Sequence, residues 1–330
     1  MSETRAVDAW LARATERQPY STSDGKAGSP LERIVVDGES FVVKWVHVDR
    51  DWSMRGWGDI SARPRLVFHH RLLDVVPDQI DHTVVAAAQW GRNDWGAVLV
   101  MRDVSPWLVP PGDDPLPEAQ HLGFLDAMAV LSARTWGWRD DIGLVPFSNR
   151  WLCFSEHWLQ VERDRGWPDV VPRVAAEGWA RFAERAPADV GDLIRQLRGE
   201  PWPLTDALRA TPACFVHGDW KLGNVGMHPD GRVILLDCAI PGEAPPCHEL
   251  AWYLALNRAR LPRGHTKEAA VAAFRDALER HGVDTGGWWD RQLGLCLLGA
   301  LVQFGWEKAL GDDEELSWWC DAARDGARWL

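Results

Sequence analysis

The chain has 330 residues, enough for two lobes that each bury a core. It is 46% hydrophobic and 25% charged, which excludes a disordered or fibrous chain. Its formal net charge of -12 argues against nucleic-acid binding, which needs clustered Lys and Arg, and suits either a cationic partner or plain solubility. Cys153, Cys214, Cys238, Cys247, Cys296 and Cys320 form no C-x-x-C pair, so they read as reduced thiols of a cytoplasmic protein. Met1 to Gln18 is charged and lacks a long apolar run, so neither a signal peptide nor a membrane span is expected. Most of the 22 tryptophans are expected in cores, with a few against a flat or sugar-like ligand.

In chain order, Leu31 to Val36 and Ser40 to Val46 read as strands joined by the hairpin turn Asp37-Gly38-Glu39. Ile60 to Val76 reads as one helix, with Leu66, Val67 and Leu73 on one side and Pro77 at its end. Val84 to Trp90 and Gly96 to Met101 form a second strand pair around Gly91-Arg92-Asn93-Asp94. Arg102 to Pro117 is a connector rich in Pro and Asp. This divides the chain into a β-rich unit at 1–102, a linker at 103–117 and a mostly helical unit at 118–330. Glu118 to Thr135 has helical spacing of Leu122, Leu125, Met128 and Leu131. Further helices are expected at Pro172 to Ala186 and Asp189 to Leu197, with short strands at Phe215-Val216 and Val233 to Leu236. The tail predicts helices near His248 to Asn257, Thr266 to His281, Gly287 to Leu310 and Asp313 to Trp329. The third of these is apolar nearly all round and should be buried.

The most informative stretch is His217-Gly218-Asp219-Trp220-Lys221-Leu222-Gly223-Asn224, followed by the apolar run Val233 to Leu236 and Asp237. Asp219 can accept a hydroxyl proton. Asn224 can ligate a metal with its amide oxygen, and Asp237 can bridge that metal to phosphate oxygens. A base and two metal ligands supply most of what phosphoryl transfer needs, because that reaction depends on positioning and charge neutralisation.

H-x-D-x-x-x-x-N followed by a strand ending in Asp resembles the catalytic core of the protein-kinase-like fold. With Gly after the His, it is similar to the aminoglycoside phosphotransferase and choline kinase branch. Leu131-Ser132-Ala133-Arg134-Thr135-Trp136 resembles a helix end common in that branch. The resemblance implies an α+β, bilobal fold, with a small β-rich N-lobe and a larger, mostly helical C-lobe. It implies ATP and Mg²⁺ as cofactors and a small-molecule hydroxyl as acceptor, with no nucleic-acid or membrane partner.

Residue by residue, the resemblance makes Asp219 the base, Asn224 and Asp237 the metal ligands, and Lys44 the strand lysine that holds the nucleotide phosphates. Gly25, Gly28 and Ser29 fall in a small-residue loop that would cover those phosphates. Met101 to Val104, with Met101 and Asp103, would form the hinge where backbone groups read adenine. Lys221 is placed to steady the transferring phosphoryl group, and His217 to hold the loop, with general base as its other reading. Three departures stand out. No Glu lies between Trp45 and Val76 to pair with Lys44, which leaves Asp59 as the candidate. Cys238-Ala239 follow Asp237 where an aromatic is common, and Glu249 replaces an Asp in Pro245-Pro246-Cys247-His248-Glu249-Leu250-Ala251.

For the acceptor, the branch suggests an aminoglycoside antibiotic or amino sugar, with a neutral sugar or an amino alcohol such as choline as the alternative. Glu243, Glu249, Asp312 to Glu315 and Asp321, with Trp252, Trp288, Trp289, Trp318 and Trp319, would suit a cationic acceptor. A catalytically impaired nucleotide-binding scaffold is the rival that the departures favour. A metal-dependent phosphoesterase would need His ligands that the sequence lacks.

Overall fold

The computed structural model describes residues 3–22, 27–257 and 260–330. Helix α1 (Glu3–Arg13) leads into β1 (Ala14–Tyr20), β2 (Leu31–Val36) and β3 (Glu39–His47). Short α2 (Trp52–Gly56) and α3 (Arg63–His69) follow, then β4 (Ile80–Asp81), β5 (Val84–Trp90) and β6 (Gly96–Arg102). Five of these strands form an antiparallel sheet in the order β1-β2-β3-β6-β5. Its core gathers Ile34, Val36, Phe41, Val43, Ala86, Ala88, Val98 and Val100, with Val7 of α1 lying against them. Alternation of apolar residues in β2 and β3 sends one set to this core and leaves Lys44 on the other face.

The two N-terminal elements were not expected. Strand β1, Ala14–Tyr20, is exposed or half-exposed throughout and carries no alternation; it is held to β2 by the backbone ladder and by Arg17, which pairs with Glu32 at 2.5 Å. The single helix read over Ile60 to Val76 is replaced by α3 and a 3-10 turn at Leu72–Val75. Ala62 and Arg71 stand in the left-handed region, at φ 53 and φ 57, and cut the helix at both ends.

The helical lobe contains α4 (Glu118–Arg134), α5 (Asn149–Leu152), α6 (Glu156–Asp164), α7 (Val170–Arg185), α8 (Ala188–Gly199) and α9 (Trp202–Arg209). Then come β7 (Cys214–Val216), β8 (Val225–Met227), β9 (Val233–Leu235) and β10 (Gly242–Ala244). The tail is α10 (Pro246–Asn257), α11 (Lys267–Arg280), α12 (Trp289–Leu310) and α13 (Asp313–Ala327). As its all-round apolarity predicts, α12 is the central helix, packed by α7, α10 and α13. Among the described residues it is also the one helix long and apolar enough to cross a membrane, and 72% of its apolar window is buried inside the protein.

Contacts outside the connector also join the lobes, among them one through β4 and one through α2. Strand β4 pairs in parallel with β9, the strand that leads to Asp237. In α2, Arg55 reaches the helical lobe. Its Nε lies 2.7 Å from Glu162 Oε1, and its Nη2 lies 3.0 Å from Glu162 Oε2 and 2.6 Å from Asp169 Oδ2. The guanidinium stacks on Trp167 at 4.1 Å, and the Arg55 and Glu162 side chains are only 7% and 4% exposed. A buried pair of this kind is costly to break from one side, because the partner charge stays behind without a counter-ion. Arg55→Ala should therefore lower the stability of the chain by about 3–5 kcal/mol in urea unfolding. A loss under about 1 kcal/mol, the range of exposed pairs, would show that the clasp holds nothing.

Candidate active site

The loop after β7 is fixed from beneath. Glu249, on α10, accepts the His217 N–H at 2.6 Å with Oε1 and the Gly218 N–H at 3.0 Å with Oε2. Gly218 stands at φ +87, and a Cβ there would strike the Ile240 carbonyl, so the loop needs glycine at that position. Arg150, fully buried, donates to that same carbonyl at 3.1 Å and lies 3.5 Å from His248. Farther along α10, Asn257 accepts the Leu222 N–H at 2.9 Å and donates to the Trp220 carbonyl at 2.9 Å. The loop is thereby pinned at both ends of its run from His217 to Asn224.

Within it, Asp219 is held at both oxygens. Trp252 Nε1 donates to Oδ1 at 3.0 Å, and Asn224 Nδ2 donates to Oδ2 at 2.7 Å. Lys221 Nζ lies 3.4 Å from Oδ2. His217 Nδ1 accepts the Asp219 N–H at 3.3 Å, and burial lowers its pKa to about 4. A neutral ring already holding this N–H is a loop anchor and a poor proton acceptor.

Asp237 follows β9 in the left-handed region at φ 61. The Leu236 N–H donates to the Asn224 carbonyl at 2.8 Å, which keeps the two segments in register. Lys44 Nζ meets Asp237 Oδ1 at 2.5 Å. Burial alone would raise the Asp237 carboxyl, but the Lys44 and Lys221 ammonium groups outweigh it and hold the pKa below the ordinary value. Lys44 therefore takes Asp237 as its partner in place of a helix acid. Asp59, the sequence's candidate for that role, accepts from Ser61 N at 3.0 Å and Arg63 N at 2.9 Å, and so caps α3.

A cavity of about 520 Å³ opens between the lobes. Gly28, Ser29, Lys44, Lys221, Asn224 and Asp237 border it, and Asp219 is hydrogen-bonded to Asn224 of that wall. Met101 and Asp103 border the outer side, among Leu31, Val42, Leu99 and Leu235. Ser29 Oγ donates to Asp51 at 2.5 Å, tying the covering loop to α2, while Gly25 lies outside the described residues. Asp103 holds the turn itself. Its carboxylate takes Ser40 Oγ at 2.9 Å and pairs with Arg33 Nε at 2.8 Å, and its N–H donates to the Ser40 carbonyl at 3.1 Å.

Most of the acids expected around an acceptor are engaged elsewhere, and Glu314 is exposed. Glu243 pairs with Arg139, Glu315 with Lys267 at 2.6 Å, Asp313 with Arg185 at 2.5 Å and Asp321 with Arg324 at 2.7 Å. Asp312 caps α13, and Glu249 lies under the loop. Trp289 and Trp319 are core residues, and Trp318 donates to Glu268 at 2.6 Å. Of the five tryptophans named from the sequence, Trp252 is the one hydrogen-bonded to the loop. The bonds made by Trp252, Asn257 and Arg150 were not read from the sequence. For Trp252 and Asn257 the available signal was hydrogen-bonding side chains within the otherwise apolar α10, while Arg150, on α5, gave none.

Both amide hydrogens of Asn224 go to Asp219, to Oδ2 and to the main-chain carbonyl at 3.2 Å, which leaves the amide oxygen for a cation. With the Asp237 carboxylate this gives two hard oxygen donors on one cavity wall. That set suits Mg²⁺, which keeps several waters and takes phosphate oxygens for the rest. Among the described residues no group of three or more His, Cys, Asp or Glu forms a closed metal cage.

Residues 149–288 match the model of the phosphotransferase enzyme family. No curated protein matches the chain. Among solved structures, a choline kinase from Streptococcus pneumoniae is 10% identical and superposes with a TM-score of 0.55, covering 98% of both chains. A thermostable mutant of an aminoglycoside phosphotransferase is 13% identical, with a TM-score of 0.51 over 99% of this chain and 98% of that one. A microcompartment-associated aminopropanol kinase is 12% identical, with a TM-score of 0.51 over 98% of this chain and 95% of that one. The fold is thus the bilobal α+β fold of kinase-like phosphotransferases, as the motif implied.

The buried groups set a pH dependence. Burial lowers His217 and His121 from 6.5 to about 4 and holds His248 well below its ordinary value. Below about 6.5 the unfolded chain takes up protons that the folded chain refuses, so stability falls on acidification. Burial also raises Glu249 from 4.5 to about 7, against the Gly218 and His217 N–H groups and Arg150. Between those values the folded chain holds a proton that the unfolded chain lacks, which offsets one histidine. The melting temperature should fall from pH 6.5 to 5, and fall more steeply in Glu249→Gln. Parallel curves for the two proteins would refute this account of Glu249.

Proposed function

We propose that this chain is a Mg-ATP-dependent phosphotransferase that phosphorylates a hydroxyl group of a small molecule. The observation that carries this reading is the convergence of Lys44, Asn224 and Asp237 at one end of an apolar inter-lobe cavity, with the Asp219 carboxylate beside them. The family match over residues 149–288 supports the same chemistry.

In this reading the apolar outer part, between Leu31, Val42 and Leu235, takes the adenine, and 103–117 is the hinge of the two lobes. With its own N–H engaged by Ser40, Asp103 is the end of the hinge and leaves base reading to its neighbours. Gly28 and Ser29 cover the phosphates and Lys44 steadies them. Asn224 and Asp237 would hold Mg²⁺, which neutralises charge on the phosphate oxygens when bound. Asp219 orients the acceptor hydroxyl and takes its proton. The hydroxyl oxygen bonds to the γ-phosphorus as the bond to the β–γ bridging oxygen breaks, and ADP leaves with that electron pair. Lys221, at the cavity wall, meets the charge that spreads over the equatorial oxygens.

The structural neighbours are named for choline, aminopropanol and aminoglycosides, all amine-bearing alcohols. The net charge of -12 favours such cations in solution. Because the acids Glu243, Asp313, Glu315 and Asp321 already have basic partners, a singly charged amino alcohol suits this chain better than a polycationic aminoglycoside, with a neutral sugar as the second reading.

A panel of choline, 1-amino-2-propanol, hygromycin B and neutral sugars, read by ADP release, tests the acceptor. For a cationic acceptor, KM should rise with ionic strength. Activity on neutral sugars alone would discard the cation and keep the kinase. Asp219→Asn should lower turnover by roughly 10²–10⁴ with nucleotide affinity kept, and near-normal turnover would remove the base. Asp237→Ala should abolish Mg·ATP binding in calorimetry, and intact binding would place the metal elsewhere.

A further inference from the structure

Within the sequence motif, Asn224 holds one oxygen of the base and the other oxygen needs a group from elsewhere. The structure supplies a group from α10. Trp252 Nε1 lies 3.0 Å from Asp219 Oδ1, and the indole is only 4% exposed. Its ring is wedged among others. Phe304 of α12 stands edge-on at 4.8 Å, His248 lies at 6.0 Å, and Trp57 of the sheet lobe lies at 6.2 Å. An indole packed on several sides has little rotamer freedom, so its N–H is aimed at one point.

We propose that Trp252 is a positioning residue for phosphoryl transfer: it fixes the rotation of the Asp219 carboxylate and thereby decides where the acceptor hydroxyl can meet it. The inference rests on the reading of Asp219 as the base. A carboxylate held at one oxygen can turn about its Cβ–Cγ bond. Here Asn224 holds Oδ2 at 2.7 Å and Trp252 holds Oδ1 at 3.0 Å, so both oxygens are tied. The plane is then set, and the lone pairs left over point in fixed directions. Transfer rates depend steeply on that direction, since a misplacement of about 1 Å can cost roughly 100-fold. Indole donates and does not accept, so it cannot compete with Asp219 for the hydroxyl proton. A neutral histidine at this position could.

Two measurements test the role. In protein labelled with 15N at its indoles, the resonance missing from Trp252→Phe identifies the Trp252 N–H. That resonance should move in Asp219→Asn and stay in place in Arg195→Gln, a surface residue paired with Asp192. A resonance that ignores Asp219→Asn overturns the proposal, and this readout requires no turnover. The second is kinetic, with ADP release read from Mg·ATP with choline, 1-amino-2-propanol or hygromycin B as acceptor, and with water. Trp252→Phe keeps the ring and loses the donor. Turnover should fall roughly 10–100-fold with the KM for ATP unchanged. In an Asp219→Asn background the same change should cost less than about twofold, because the two residues act as a unit. Equal loss in both backgrounds, or full turnover in Trp252→Phe beside a crippled Asp219→Asn, overturns the role of Trp252 and leaves the base in place. Full turnover in Asp219→Asn removes the base, and this inference with it.

Discussion

The candidate site hangs on one buried carboxylate. Glu249 has no exposure to speak of, yet it takes two successive backbone N–H groups at the point where β7 becomes the loop. Those N–H groups would otherwise be orphaned in the interior, and the Glu249 carboxyl group, which burial pushes up to about 7, would be a buried polar group without partners. Each makes the other tolerable. The position of His217 and Gly218 then dictates where Asp219 emerges, and Asn257, two turns farther along the same helix, fixes the exit of the loop. Helix α10 is thus the ruler against which the loop is measured. Its own position is set by burial against α12 and α4, so the core of the helical lobe determines the chemistry at the cleft.

The sheet lobe solves a different problem. It must carry a lysine to Asp237 without the helix glutamate that would ordinarily hold it. The strand pairing puts Lys44 opposite Leu31 and Leu99, on the cavity face, and Asp237 completes the pair. The helical region of this lobe is freed from carrying an acid and serves instead as an anchor. Asp51 binds Ser29 on one side, and Arg55 binds Glu162 and Asp169 on the other. The loop over the cavity and the wall of the helical lobe are therefore joined through one turn of helix.

Much of this was legible. The D-x-x-x-x-N spacing and the terminal Asp of an apolar strand announced Asp219, Asn224 and Asp237, because local chain geometry alone brings the first two together. Lys44 was legible as a cation interrupting a β run. The tail helices matched closely, since their apolar periodicity is strong. What could not be read was set by long-range packing. Asp59 and Asp237 were both acids within conceivable reach of Lys44, and only the fold decides between them. The break of the helix after Ile60 depends on left-handed residues at Ala62 and Arg71, which neither side chain advertises. The acids of the tail looked available because sequence shows a charge without its partner.

The parallel pairing of β4 with β9 has a consequence for how the chain is made. Ile80 and Val233 are about 150 residues apart, so at roughly 5–20 residues per second about 8–30 seconds pass before the first strand can meet the second. During that interval Ile80 and Asp81 have no ladder, and for its first half Arg55 has neither Glu162 nor Asp169. The sheet lobe emerges first but is completed last. Its earliest residues wait as an unfinished edge until the sequence that carries Asp237 arrives to close it.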